Sequence, residues 1–81
     1  METDAMERMI APAIEPAIKA CLAEIHAKLK EAEQIGRAAA ACAEAGSMAE
    51  AVRVSMDLDQ LIFDVGRLQD AACLLAHRFS T

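Results

Sequence analysis

SMAEAVRVSMDLDQLIFDVGRLQDAACLLAHRF, residues 47–79, is the stretch whose periodicity decides the fold. Ala51, Val54, Leu58, Leu61, Val65, Leu68, Ala72, Leu75 and Phe79 follow one another at alternating steps of three and four. That alternation is the seam of a helix packed at a shallow angle against other helices. The spacing therefore predicts one long amphipathic helix over 47–79, with the rest of the chain covering its seam.

Immediately upstream, Gly46 offers the left-handed residue that ends a helix, and Ser47 is a favoured N-cap. Ser47-Met48-Ala49-Glu50 matches a capping box, in which Glu50 reaches back to the Ser47 amide. So tight a connection implies antiparallel neighbours. Residues 16–45 carry a second seam through Ile18, Leu22, Ile25, Leu29, Ala32, Gly36, Ala39 and Ala43. Glu24–Lys28 and Glu33–Arg37 are acid-before-base pairs four residues apart on the solvent side. The expectation is an antiparallel two-helix hairpin, small residues facing large ones near the turn and bulky residues facing each other at the open end.

Residues 1–15 read as a short N-terminal helical segment carrying Met6, Met9 and Ile10, with Thr3 or Asp4 as its cap. Pro12 and Pro16 each remove a donor and crowd the carbonyl four residues back, so a break is expected between Ala11 and Pro16. Pro16 then fits as the first residue of helix one.

The 81 residues form a single domain, 56% hydrophobic yet only 2% aromatic. The good helix formers dominate and no β-branched run marks a strand, so the fold class is all-α. A lone hairpin of this composition leaves much apolar surface wet, which argues for a homodimer that completes a four-helix bundle. The formal charge of −5 argues against a general affinity for nucleic-acid phosphates or anionic lipid. Cys21, Cys42 and Cys73 are far apart and lack metal-ligand spacing; they read as reduced cytoplasmic thiols. The acidic start, Met1-Glu2-Thr3-Asp4, with no long apolar run after it, predicts neither a signal peptide nor a membrane span.

A single seam does not account for a second line on helix two: Arg53, Met56, Gln60, Phe63, Arg67, Asp70 and Leu74. A Phe and a Met at nominally solvated positions call for a cover. That cover is either a second copy or the N-terminal segment, or the line is a docking strip with Phe63 as anchor and Arg53, Gln60 and Arg67 as polar contacts. Ile62 is expected to join the core.

Chemistry finds few candidates. His26 and His77 have no carboxylate three residues before them, as a di-iron bundle requires. Asp57, Asp59, Asp64 and Asp70 point around the helix in several directions, and no phosphate loop or nucleophile motif is present. The expectation is a non-enzymatic protein without metal or cofactor. In architecture alone, the hairpin and its seams resemble the small dimeric four-helix bundles that bind plasmid RNA. That resemblance implies a basic, aromatic-bearing face, for which Arg53, Gln60, Phe63 and Arg67 are the candidates. The reading reached from the residues is a homo-oligomeric helical interaction module, with itself and an unidentified protein as partners. A nucleic-acid-binding regulator is the alternative, and a metal- or ligand-binding bundle the second.

Overall fold

The computed structural model describes the backbone of residues 2–79 and the side chains of residues 12–77. The expectations for the side chains of Met6, Met9, Ile10 and Phe79, and for a cap at Thr3 or Asp4, lie outside the described residues. The described residues are helical apart from two short turns, with no strand among them: α1 is Glu2–Glu44, α2 Met48–Ser55 and α3 Leu58–Phe79. Helices α2 and α3 both pack back along α1. The result is a rod of 66 × 15 × 14 Å. Its length is that of α1, since 43 helical residues at about 1.5 Å each span roughly 64 Å.

Gly46 makes the reversal. It has φ +87°, and among the described residues no non-glycine residue has a positive φ. The Ser47 amide donates to the Cys42 carbonyl at 2.9 Å, and the Gly46 amide donates to the Ala43 carbonyl at 3.0 Å. These two bonds form a Schellman motif and satisfy carbonyls that the end of α1 would leave open. No atom lies within 4 Å of a Cβ built on Gly46, so the requirement for glycine is conformational, not steric. Gly46→Val should cost about 1–2 kcal/mol, the penalty of a left-handed Cβ. Urea denaturation would show it as a lower midpoint at unchanged slope.

The capping box does not form, because Ser47 makes no side-chain cap bond. Glu50 instead accepts two bonds from the Arg53 guanidinium, one from Nε at 3.0 Å and one from Nη2. A charged donor one turn ahead on the same face out-competes the backbone amide behind.

Two further expectations are corrected. Pro12 and Pro16 do not break the chain, for α1 runs through both. They lie one turn apart on the same face of α1, and both are exposed. Ile14, buried between them, holds that turn against the hairpin. The second arm, in contrast, is not one helix: it is interrupted at Met56 and Asp57. There the Ser55 hydroxyl donates to the Val52 carbonyl at 2.7 Å. The Met56 amide is shared between the Val52 and Arg53 carbonyls, and the Asp57 and Asp59 amides reach only three residues back. This is a tightened turn, built where Ser and two Asp residues weaken helical preference.

The seam of the second arm passes through the interruption unbroken. Ala51, Leu61 and Ala72 are buried, and Val54, Leu58, Val65, Leu68 and Leu75 are half-buried. On α1 the seam is rotated from the expected one. Ile18, Ile25, Ala32, Gly36, Ala39 and Ala43 are half-buried as expected, but Cys21 and Lys28 take the places expected for Leu22 and Leu29, and Ile35 and Cys42 are half-buried beside Gly36 and Ala43. Leu22 and Leu29, expected in the core, are 54% and 51% exposed, and Ile62 is 62% exposed. Lys28 explains the rotation. Its ammonium lies 3.5 Å from Asp64 on α3 and 3.6 Å from Glu24, and its side chain is only 24% exposed. Its methylene stem covers the seam while its head reaches the polar edge. Small Cys21 and Cys42 on the same line permit close approach of the arms.

Candidate functional site

The Lys28–Asp64 pair fixes the register, in which residue numbers facing each other across the arms add to about 92. It also divides the rod into two long flanks. On the Lys28 side a shallow groove of about 400 Å³ is lined by Glu24, Lys28, Asp64, Arg67, Leu68 and Ala71. Gln60 donates from Nε2 to Asp64 Oδ1 at 2.9 Å, so Asp64 joins both arms and its own helix in one polar cluster.

The line Arg53, Met56, Gln60, Phe63, Arg67 runs along the outer surface of the second arm. Met56 is 64% and Phe63 56% exposed. The Arg67 guanidinium sits 5.5 Å from the Phe63 ring centroid, within cation–π range. These two residues are four apart and so share a helix face. The structure brings Phe63 and Arg67 together, leaves Met56 open, turns Gln60 toward Asp64 and binds Arg53 to Glu50. Asp70 and Leu74 are exposed on the same surface.

The Arg53 hydrogen bonds hold the Glu50 carboxyl below its ordinary range, and Glu50 in turn raises Arg53. A depressed carboxylate contributes stability above its unfolded pKa and loses it as pH falls through the folded value. Both side chains are exposed, so the effect is small and screened by salt. Arg53→Ala should return the Glu50 pKa upward toward the ordinary value. Side-chain carboxyl NMR titration reads this directly, and 1 M salt should shrink the difference.

Among the described residues no three of the His, Cys, Asp and Glu side chains group to hold a metal. His26 and His77 are exposed and lie on different helices. Cys21 and Cys42 are half-buried, Cys73 is exposed, and all three are free thiols. No described helix is long and apolar enough to cross a membrane. Sequence reasoning missed the Lys28–Asp64 link because a lysine in an apolar register reads as an interruption; its four-residue spacing from Glu24 was the available signal. Comparison with protein-family models, with curated proteins and with solved structures finds no match for this chain.

Proposed function

We propose that this chain is a non-enzymatic helical interaction module that self-associates and offers Arg53, Met56, Gln60, Phe63 and Arg67 to a partner protein. The observation that carries the reading is the unfinished core. Among the described residues only Ile14, Ala51, Leu61 and Ala72 are buried, and no large side chain is fully buried. The accessible surface is 6357 Å² for 8.7 kDa. A compact chain of that mass exposes about 4,700 Å². The excess of about 1,600 Å² exceeds the roughly 800 Å² that each partner contributes to a stable interface. Completion of a four-helix bundle is the economical way to cover it.

The outer strip supports the second half of the reading. Phe63, backed by Arg67, has the make-up of an interface anchor with a cationic neighbour. The complementary surface is an amphipathic helix with an apolar stripe and an acidic border. Binding nucleic acid is less well supported, since one of the two strip arginines is already bound to Glu50. The test of self-association is solution mass by light scattering, expected at twice the 8.7 kDa of one chain. The test of the strip is titration with a synthetic acidic-bordered amphipathic helix, following the Phe63 ring resonances. Phe63→Asp should leave the helical signal intact and abolish that binding.

A further inference from the structure

The two flanks of the rod differ sharply in charge. On the groove side, the residues just before seam positions include Glu24 and Glu31 on α1 and Glu50, Asp57 and Asp64 on the second arm. On the opposite side, the residues just after seam positions are Leu22, Leu29, Gly36 and Ala43 on α1. Facing them on the second arm are Met48, Ser55, Ile62, Gln69 and Ala76. From Leu22 to the turn, none of these carries a charge. Helical geometry forces this division: once Glu24 and Asp64 share the groove side, the residues on the other side of each seam share the opposite flank. Leu29 and Ile62 meet at one level of the rod, both more than half exposed.

We propose that a second copy of this chain covers the uncharged flank, related by a twofold axis beside Leu29 and Ile62, so that Leu22 of each copy seats on Gly36 of the other in an antiparallel four-helix bundle. This rests on the self-association proposed above and assigns it a face and a topology. Self-complementarity carries it. Positions equally distant from Leu29 on α1 are Leu22 and Gly36, a large side chain against none. Positions equally distant from Ile62 are Ser55 and Gln69, two hydrogen-bonding groups, and Met48 and Ala76, again large against small. Slightly further out, His26 meets Glu33, Asp59 meets Gly66, and Val52 meets Cys73. No like charges are brought together.

The glycines supply an independent argument. A Cβ built on Gly36 or Gly66 would meet nothing within 4 Å, so the hairpin's own packing asks for neither. Glycine inside a helix costs stability, and both of these lie on the uncharged side, where a second backbone would approach. The groove flank is a poorer alternative, because covering it would desolvate its charged groups, Glu24 and Asp64 paired to Lys28 and Glu50 paired to Arg53. The excess surface is ample for the contact.

The test is solution mass and helical content of wild type, Leu29→Asp, Gly36→Leu and Phe63→Asp. Wild type and Phe63→Asp should be dimers. Leu29→Asp and Gly36→Leu should be folded monomers, with dissociation constants raised roughly 100-fold or more. Gly36→Leu is the sharper variant, since it fills open space in the hairpin and favours helix, yet blocks the seat for Leu22. A dimer that persists in Leu29→Asp or in Gly36→Leu overturns the proposed face. If Phe63→Asp is then the monomer, self-association stands but uses the outer strip. A monomeric wild type overturns both readings. Should Leu29→Asp fail to fold, Leu29→Cys in a background with Cys21, Cys42 and Cys73 changed to Ala should form a covalent dimer on mild oxidation. Its absence overturns the twofold axis.

Discussion

Leu61→Asp should abolish the cooperative unfolding transition and most of the helical signal. Leu61 is 9% exposed and lies at the level of Glu31 and Ala32, in the first turn of α3. Removing the leucine forfeits about 2–5 kcal/mol of packing, as large-to-small core changes do. Burying the carboxylate that replaces it adds further cost, since Lys28, the cation on the α1 seam, is already shared between Asp64 and Glu24. A domain of this length has about 4–12 kcal/mol in total. The loss is therefore comparable with the whole stability. Ile62→Asp is the control: one residue away and largely exposed, it should keep the helical signal and affect only association. Circular dichroism with thermal melting separates the two outcomes.

Ala72→Leu should destabilise the hairpin by about 1–3 kcal/mol through overpacking. Ala72 is 7% exposed, the most buried of the described residues, and faces the Cys21 level of α1. Close approach of the arms toward the open end depends on such small side chains. A leucine there forces the arms apart or takes a strained rotamer. Urea denaturation should show a lower midpoint. An unchanged or raised midpoint would mean that the arms leave room at Ala72, contrary to its burial.

Both predictions depend on how the seams are assigned, and the two arms were not equally legible. On the second arm the three-four alternation is continuous and survives even the interruption at Met56 and Asp57, although Val52, Ile62 and Leu74 stand beside it as apolar rivals. On α1 there are two candidates per turn: Cys21 or Leu22, Ile35 or Gly36, Cys42 or Ala43. Periodicity alone cannot choose between adjacent positions 100° apart. Only Lys28 against Leu29 discriminates by polarity, and it favours the wrong one. The deciding interaction is tertiary, the Lys28–Asp64 pair, and is absent from local sequence.

The prolines show the converse error. Local rules predict a break, but both prolines lie on an exposed face and Ile14 between them is buried, and the helix continues through that turn. The interruption in the second arm went unread because its signal, Ser55 with Asp57 and Asp59, lies beneath a strong seam. The reversal at Gly46 was legible, as glycine takes the left-handed backbone that so short a turn demands without a Cβ penalty, whereas the capping box read after it does not form. The outer strip was legible as a set of positions. The partners that Arg53 and Gln60 acquire on their own helix were not, since each had several candidates within a turn.

The claim on which the functional account rests is that this hairpin is half of a larger bundle. The most direct measurement is the mass of the wild-type protein by light scattering across a hundredfold range of concentration. The account predicts twice the 8.7 kDa chain mass at the upper end, falling toward a single chain only on dilution. A single-chain mass at every concentration would contradict it.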